Sequence, residues 1–155
     1  MNSRILVLAV TLLMVVSVFT SVVFANQNLW VEKTQMPTAR FSFGVTVVDD
    51  KIYAVGGAVN TESGEITGAN EVYDPKTDTW DQKTEMPTPR YGCAVVAYEN
   101  KIYVFGGEAN GTYLDVNEVY DPLTDSWQNR ESMPTARVLF QANVVDDKIY
   151  LIGGY

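Results

Sequence analysis

Apolar positions fall into two regimes along the chain. From Ile5 to Ala25 they run almost unbroken, interrupted only by Thr11, Ser17, Thr20 and Ser21. Beyond Ala25 they come in short stretches set between turn formers. Phe41 to Val48 is bounded by Pro37 and by Asp49-Asp50, and Ile52 to Val55 ends at Gly56-Gly57. Glu71 to Tyr73 is stopped by Asp74-Pro75, and Thr79 to Lys83 by Met86-Pro87. Stretches this short, rich in β-branched and aromatic residues, predict strands, and no helical period is long enough to compete. Proline has no N–H to give to a ladder, so each Asp-Pro and Met-Pro ends pairing where the chain reverses. Phe41 to Val48 and Phe140 to Val145 do not alternate cleanly between apolar and polar, which points to sheets covered on both faces.

The pattern repeats. NEVYDPKTDTW at Asn70 to Trp80 returns as NEVYDPLTDSW at Asn117 to Trp127. Met36-Pro37-Thr38-Ala39-Arg40 returns at Met86 to Arg90 and at Met133 to Arg137. Lys51 to Gly57 returns at Lys101 to Gly107 and at Lys148 to Gly154, and Trp30, Trp80 and Trp127 mark one point in each unit. Spacing is 50 residues and then 47 in each threefold series, and 47 between the two NEVYD copies. The difference lies between the double glycine and NEVYD, where Ala58 to Ala69 counts 12 residues and Glu108 to Val116 counts 9. A unit of four short strands cannot bury both faces alone; copies stack and bury each other. Small stacked sheets of that kind describe a propeller.

The double glycine after Lys-Ile-Tyr, the Asn-Glu-Val-Tyr-Asp-Pro strand end, the Trp that follows and the Met-Pro-x-x-Arg link resemble kelch repeats. The resemblance runs from Trp30 to Tyr155. It implies an all-β fold of kelch β-propeller blades, four-stranded antiparallel sheets in an incomplete ring, preceded by an N-terminal apolar signal helix over 1–25. The expected parts are an outer strand of a preceding blade within 26–39, one blade at 40–85, a second at 90–132 and the first half of a third at 133–155. Closed propellers have typically about 4–8 blades, so the expectation is a fragment of a longer protein or a chain that assembles with other copies. Arg40, Arg90, Arg137, Tyr73, Tyr120, Trp80, Trp127 and the pairs Gly56-Gly57, Gly106-Gly107 and Gly153-Gly154 are read as structural repeat residues. Each Arg either ties its blade to an acidic group or carbonyl or, in the alternative, holds a ligand carboxylate by a bidentate bond. The rings belong between sheets with their polar tips partnered. Cys93 stands where the other units have Phe43 and Phe140, which makes it a small buried hydrophobe.

Composition narrows the function. The chain carries 11 basic and 19 acidic residues, a net charge of −8. Loss of a leader ending at Ala25 removes Arg4 and leaves −9. An acidic surface without basic patches argues against nucleic acid and anionic membranes. Histidine is absent and Cys93 is the only cysteine. An internal disulfide, a Cys/His zinc site and a Ser-His-Asp triad are therefore excluded. So is the histidine-ligated copper of kelch enzymes resembling galactose oxidase. No cofactor or metal is expected. Val23-Phe24-Ala25 fits a signal-peptidase site loosely, so the first segment reads as a secretory signal. The alternative is an uncleaved membrane anchor. Arg4 before the segment keeps the N-terminus inside in either case, which puts the repeats outside the cytoplasm, secreted, periplasmic or membrane-anchored.

Long loops that vary on a rigid scaffold are where recognition resides. In an up-and-down sheet the segments Ala58 to Ala69 and Glu108 to Val116 share one end with the Met-Pro-x-x-Arg links. The candidate ligand-binding residues are Asn60, Glu62, Glu65, Asn110, Thr112 and Tyr113. Kelch relatives bind proteins or sugars at such a face, and the expected activity is non-catalytic recognition of a protein or glycan. A sugar enzyme resembling the sialic acid mutarotases is the alternative, although none of its catalytic residues can be placed here. Asn110-Gly111-Thr112 matches an N-glycosylation acceptor. Apolar end faces left open predict self-association.

Overall fold

The computed structural model describes residues 30–60 and 63–155. The apolar segment read as a signal helix, and Glu62, lie outside the described residues. The chain divides into units 1–32 and 33–155. In the first, residues 30–32 carry no secondary structure. The second is all-β, with no helix among the described residues.

Four strands, β1 (Gly44–Val48), β2 (Lys51–Val55), β3 (Asn70–Asp74) and β4 (Thr79–Lys83), pair antiparallel in sequence order to make the first blade. The second blade repeats the plan with β5 (Ala94–Tyr98), β6 (Lys101–Phe105), β9 (Asn117–Asp121) and β10 (Ser126–Arg130). Between β6 and β9 stands a small hairpin of β7 (Glu108–Ala109) and β8 (Thr112–Tyr113), which the apolar pattern does not announce. A hairpin of β11 (Gln141–Val145) and β12 (Lys148–Ile152) follows. Two-residue turns close β1–β2, β5–β6 and β11–β12. Asp49-Asp50, Glu99-Asn100 and Asp146-Asp147 all have positive φ, the geometry whose twist suits a tight hairpin.

Two strand starts differ from the sequence reading. Phe41 to Val48 begins its ladder only at Gly44, because Ser42 has φ of 51° and turns the chain outward. Phe41 instead bridges Ala58. The outer strand expected within 26–39 is not formed over its described part, 30–39. Among the described residues no strand pairs with this stretch. Thr34 is held end-on instead, its N–H donating to Asp78 at 3.0 Å and its carbonyl accepting from the Trp80 indole at 2.9 Å.

The core lies between blades. Val48, Tyr53, Val55 and Val72 of the first blade face Ile102, Val104 and Tyr120 of the second, with Met86 and Cys93 filling the joint. The Tyr53 and Tyr120 rings meet at 6.1 Å. On its other face the second blade packs Ala94, Phe105 and Tyr103 against Phe140, Ile149 and Leu151 of the last hairpin, closed by Met133. Apolar burial between near-identical sheets is thus the main force holding the units together.

Backbone bonds fix the spacing of the joints. Gly57 N–H donates to the Arg90 carbonyl at 2.9 Å, and Gly107 N–H to the Arg137 carbonyl at 2.7 Å. A Cβ on Gly106, where φ is 55°, would stand 2.5 Å from the Arg137 carbonyl oxygen. The double glycine therefore admits the neighbouring backbone at a distance no side chain allows.

Candidate binding surface

The repeated polar residues are spent inside the blades. Arg90 donates one guanidinium nitrogen to Glu118 at 2.5 Å and to the Thr88 carbonyl at 2.9 Å, and the other to the Val104 carbonyl at 3.0 Å. Thr88 donates its hydroxyl to the second Glu118 oxygen at 2.8 Å. Arg40, Thr38, Glu71 and the Ala54 carbonyl reproduce that set in the first blade. Both ion pairs are sealed from water, with side-chain exposures of 0 and 1%. A guanidinium so engaged has no fork left for a ligand carboxylate. Arg137 reaches only the Gly153 carbonyl, at 3.1 Å.

A second repeated set clasps successive units at the outer edge. Asp125 accepts the Tyr120 hydroxyl at 2.6 Å and the Thr84 N–H at 2.9 Å, while the Trp127 indole donates to the Thr84 carbonyl at 2.8 Å. Tyr73, Asp78, Thr34 and Trp80 form the equivalent clasp. Tyr120 is pushed far up from its ordinary value by burial first and then by its bond to Asp125. Asp125 is held below the usual carboxylate range chiefly by that same hydroxyl. Burial likewise pushes the Cys93 thiol up, which leaves it inert packing.

What varies between units stands outside, at the end where β2–β3 and β6–β9 connect. In the first blade, Val59 N–H donates to the Glu65 carbonyl at 2.9 Å, and Thr67 N–H to the Gly57 carbonyl at 2.9 Å, closing the loop upon the double glycine. Asn60 accepts from Ser63 N–H at 3.2 Å; both Asn60 and Glu65 are exposed. In the second blade, Asn110-Gly111 is a two-residue turn with positive φ at both positions, flanked by the Ala109–Thr112 pair. Asn110, Thr112 and Tyr113 are exposed. The five described candidates thus share one end, divided between two separately closed loops.

Two further residues of that end escape a reading based on what repeats. Tyr91 and Glu108 exchange backbone hydrogen bonds, and the neighbouring Glu108 carboxylate pushes the Tyr91 phenol up. The corresponding bridges are Phe41 with Ala58 and Val138 with Tyr155. One backbone bridge, made three times, therefore carries three different side-chain pairs. Aligning the units and asking where they disagree would have found it.

A cleft of about 650 Å³ opens at the opposite end, between the turns of the two blades. Its walls mix Asp49, Asp81, Glu99 and Asp121 with Lys51, Lys83 and Lys101. Lys51 pairs with Asp74 at 3.3 Å and Lys101 with Asp121 at 2.8 Å. The remaining charges of both signs leave no field that selects one kind of ion. Among the described residues no group of three or more His, Cys, Asp or Glu side chains is placed to hold a metal.

Antiparallel four-stranded sheets stacked face to face, joined through Gly-Gly and locked by buried Arg–Glu pairs, define kelch blades. The KLHDC2/KLHL20/DRC7 Kelch-repeats domain matches residues 16–154, and the chain belongs to this family. No curated protein matches it. Kelch-repeat domains commonly mediate protein interactions, and the chain is of this interaction-scaffold class.

Proposed function

We propose that the chain is a non-catalytic recognition module that works outside the cytoplasm and reads a protein or glycan with the loop end of its blades. The observation that carries this reading is the threefold backbone bridge: an unchanging scaffold turns different side chains outward, Phe41, Tyr91, Glu108 and Tyr155, while Ala58 and Val138 stay buried. Around it stand Asn60, Glu65, Asn110, Thr112 and Tyr113, exposed on loops tied down at both ends. Fixed loops with exposed aromatic and amide groups lose little freedom on binding. Arg40, Arg90, Glu71 and Glu118, already paired in the interior, have no part in it. Export rests on the Ile5 to Ala25 segment, apolar apart from Thr11, Ser17, Thr20 and Ser21, and on the Val23-Phe24-Ala25 ending.

Photo-crosslinking tests this on the exported chain, whose N-terminus under this reading is Asn26 when sequenced. A photoreactive phenylalanine analogue in place of Tyr113 is expected to capture the partner. The same analogue in place of Leu123, exposed at the opposite end, should capture none. Equal capture at both positions removes the loop end as the recognition surface.

A further inference from the structure

Three residues of the second blade stand in one register across the loop end. Tyr91 bridges Glu108, and Glu108 pairs with Tyr113 of β8. Residues directly opposite in antiparallel strands project from the same face, with Cβ atoms about 5 Å apart. The Glu108 carboxylate is therefore carried between two phenol rings. Tyr91 and Glu108 are half-buried and Tyr113 is 48% exposed, so the group is open to a partner.

The fold does not need this chemistry. In the first blade the same register holds Phe41, Ala58 and Ile66, three apolar residues on an equivalent backbone. Nor is the charge of Glu108 used internally: among the described residues it forms no ion pair. The repeated arginines are turned elsewhere, Arg90 into its buried pair with Glu118 and Arg137 onto the Gly153 carbonyl. The variable segments 58–69 and 108–116 hold Glu62, Glu65, Glu108 and Asp115, and no Lys or Arg. A carboxylate with no internal cation, flanked by two π faces, attracts positive charge twice over. The rings act through their quadrupoles and the carboxylate through a charge-assisted hydrogen bond. A planar guanidinium can stack on a ring and pair with a carboxylate together, which a compact ammonium does less well.

The geometry points to a site for one arginine side chain of a protein partner, held by Glu108 between Tyr91 and Tyr113. This rests on the loop end being the recognition surface, and it narrows the partner there to a basic peptide segment.

The probe is acetyl-Gly-Gly-Arg-Gly-Gly-amide, with the citrulline peptide, alike in shape and uncharged, as its control. Each is titrated into the full chain carrying isotope-labelled tyrosine, with ring signals assigned by Tyr→Phe variants. The arginine peptide is expected to shift Tyr91 and Tyr113 and to leave Tyr98, beside the β5–β6 turn at the opposite end, unmoved. The citrulline peptide should shift none of them. Glu108→Gln keeps the backbone bridge and should weaken binding about tenfold, the size of one hydrogen bond to a charged group. Tyr113→Leu should weaken it about threefold, as for one exposed cation–π contact. No shift at either ring, equal shifts from both peptides, or undiminished affinity in Glu108→Gln would overturn the arginine site and leave loop-end recognition standing. Methyl glucoside shifting both rings where the arginine peptide does not would overturn it in favour of a glycan. Shifts confined to Tyr98 would remove the loop end as well.

Discussion

Arg90 and Glu118 show how a repeat unit makes use of charge without displaying it. Withdrawing a guanidinium and a carboxylate from water costs several kcal/mol per ion, and attraction repays this only where geometry and further hydrogen bonds are good. Here one carboxylate oxygen accepts from Arg90 Nη1 and the other from the Thr88 hydroxyl, while the Thr88 and Val104 carbonyls accept from Nη1 and Nη2. Only the Arg90 Nε lacks a partner. The set pins the linker at Thr88 to β6 and β9, so its loss frees the chain where one blade passes to the next. Arg90→Met is expected to cost about 3–5 kcal/mol in urea unfolding, since it leaves Glu118 buried and unpaired. Arg90→Met combined with Glu118→Leu should recover more than half of that loss, because no charge is then stranded. A double variant no more stable than the single one would show that the linker contacts, and not the stranded charge, set the cost.

At the scale of elements, the outer clasp makes one strand end depend on the unit before it. Asp78 is held below its ordinary 3.8 by the Tyr73 hydroxyl first and the Thr34 N–H second. Its folded value lies below the unfolded one, so the clasp adds stability above about pH 4 and loses it as pH falls through the folded value. Tyr73 is pushed up from 10.0 to about 12, mainly by its bond to Asp78. That contribution is complete below pH 10 and is lost as pH rises toward 12. Asp78→Asn should flatten both limbs of the stability curve, with the Tyr120–Asp125 clasp retaining its own share, and return the Tyr73 phenol toward 10 in an ultraviolet titration. An alkaline limb of unchanged size would detach Tyr73 from Asp78. The blade strands were legible in the sequence because Gly-Gly, Asp-Pro and Met-Pro bracket short β-branched runs, and strand bounds follow from pairing. The start of β1 was not, since Ser42 adopts a positive φ that its residue type does not advertise. Two-residue strands such as β7 and β8 leave no apolar period to read. The Tyr91–Glu108 bridge was hidden for a different reason: repetition draws the eye to residues that recur, and those are the ones the interior consumes.

At the scale of the molecule, the blades form a line in which each touches only its neighbours, so stability should be graded along it. The second blade is covered on both faces, by Tyr53 and Val72 on one side and by Phe140, Ile149 and Leu151 on the other. The last hairpin has two strands and one covered face, and Val145, Tyr150 and Ile152 remain in water. Opening that hairpin gives up only the smaller of the two cores, whereas opening β6 or β9 destroys both. Amide exchange reports such local openings directly. Amides of β11 and β12 should exchange fastest and those of β6 and β9 slowest. Uniform protection across all blades would mean that the units unfold as one cooperative body, and the nearest-neighbour account of their stability would fail.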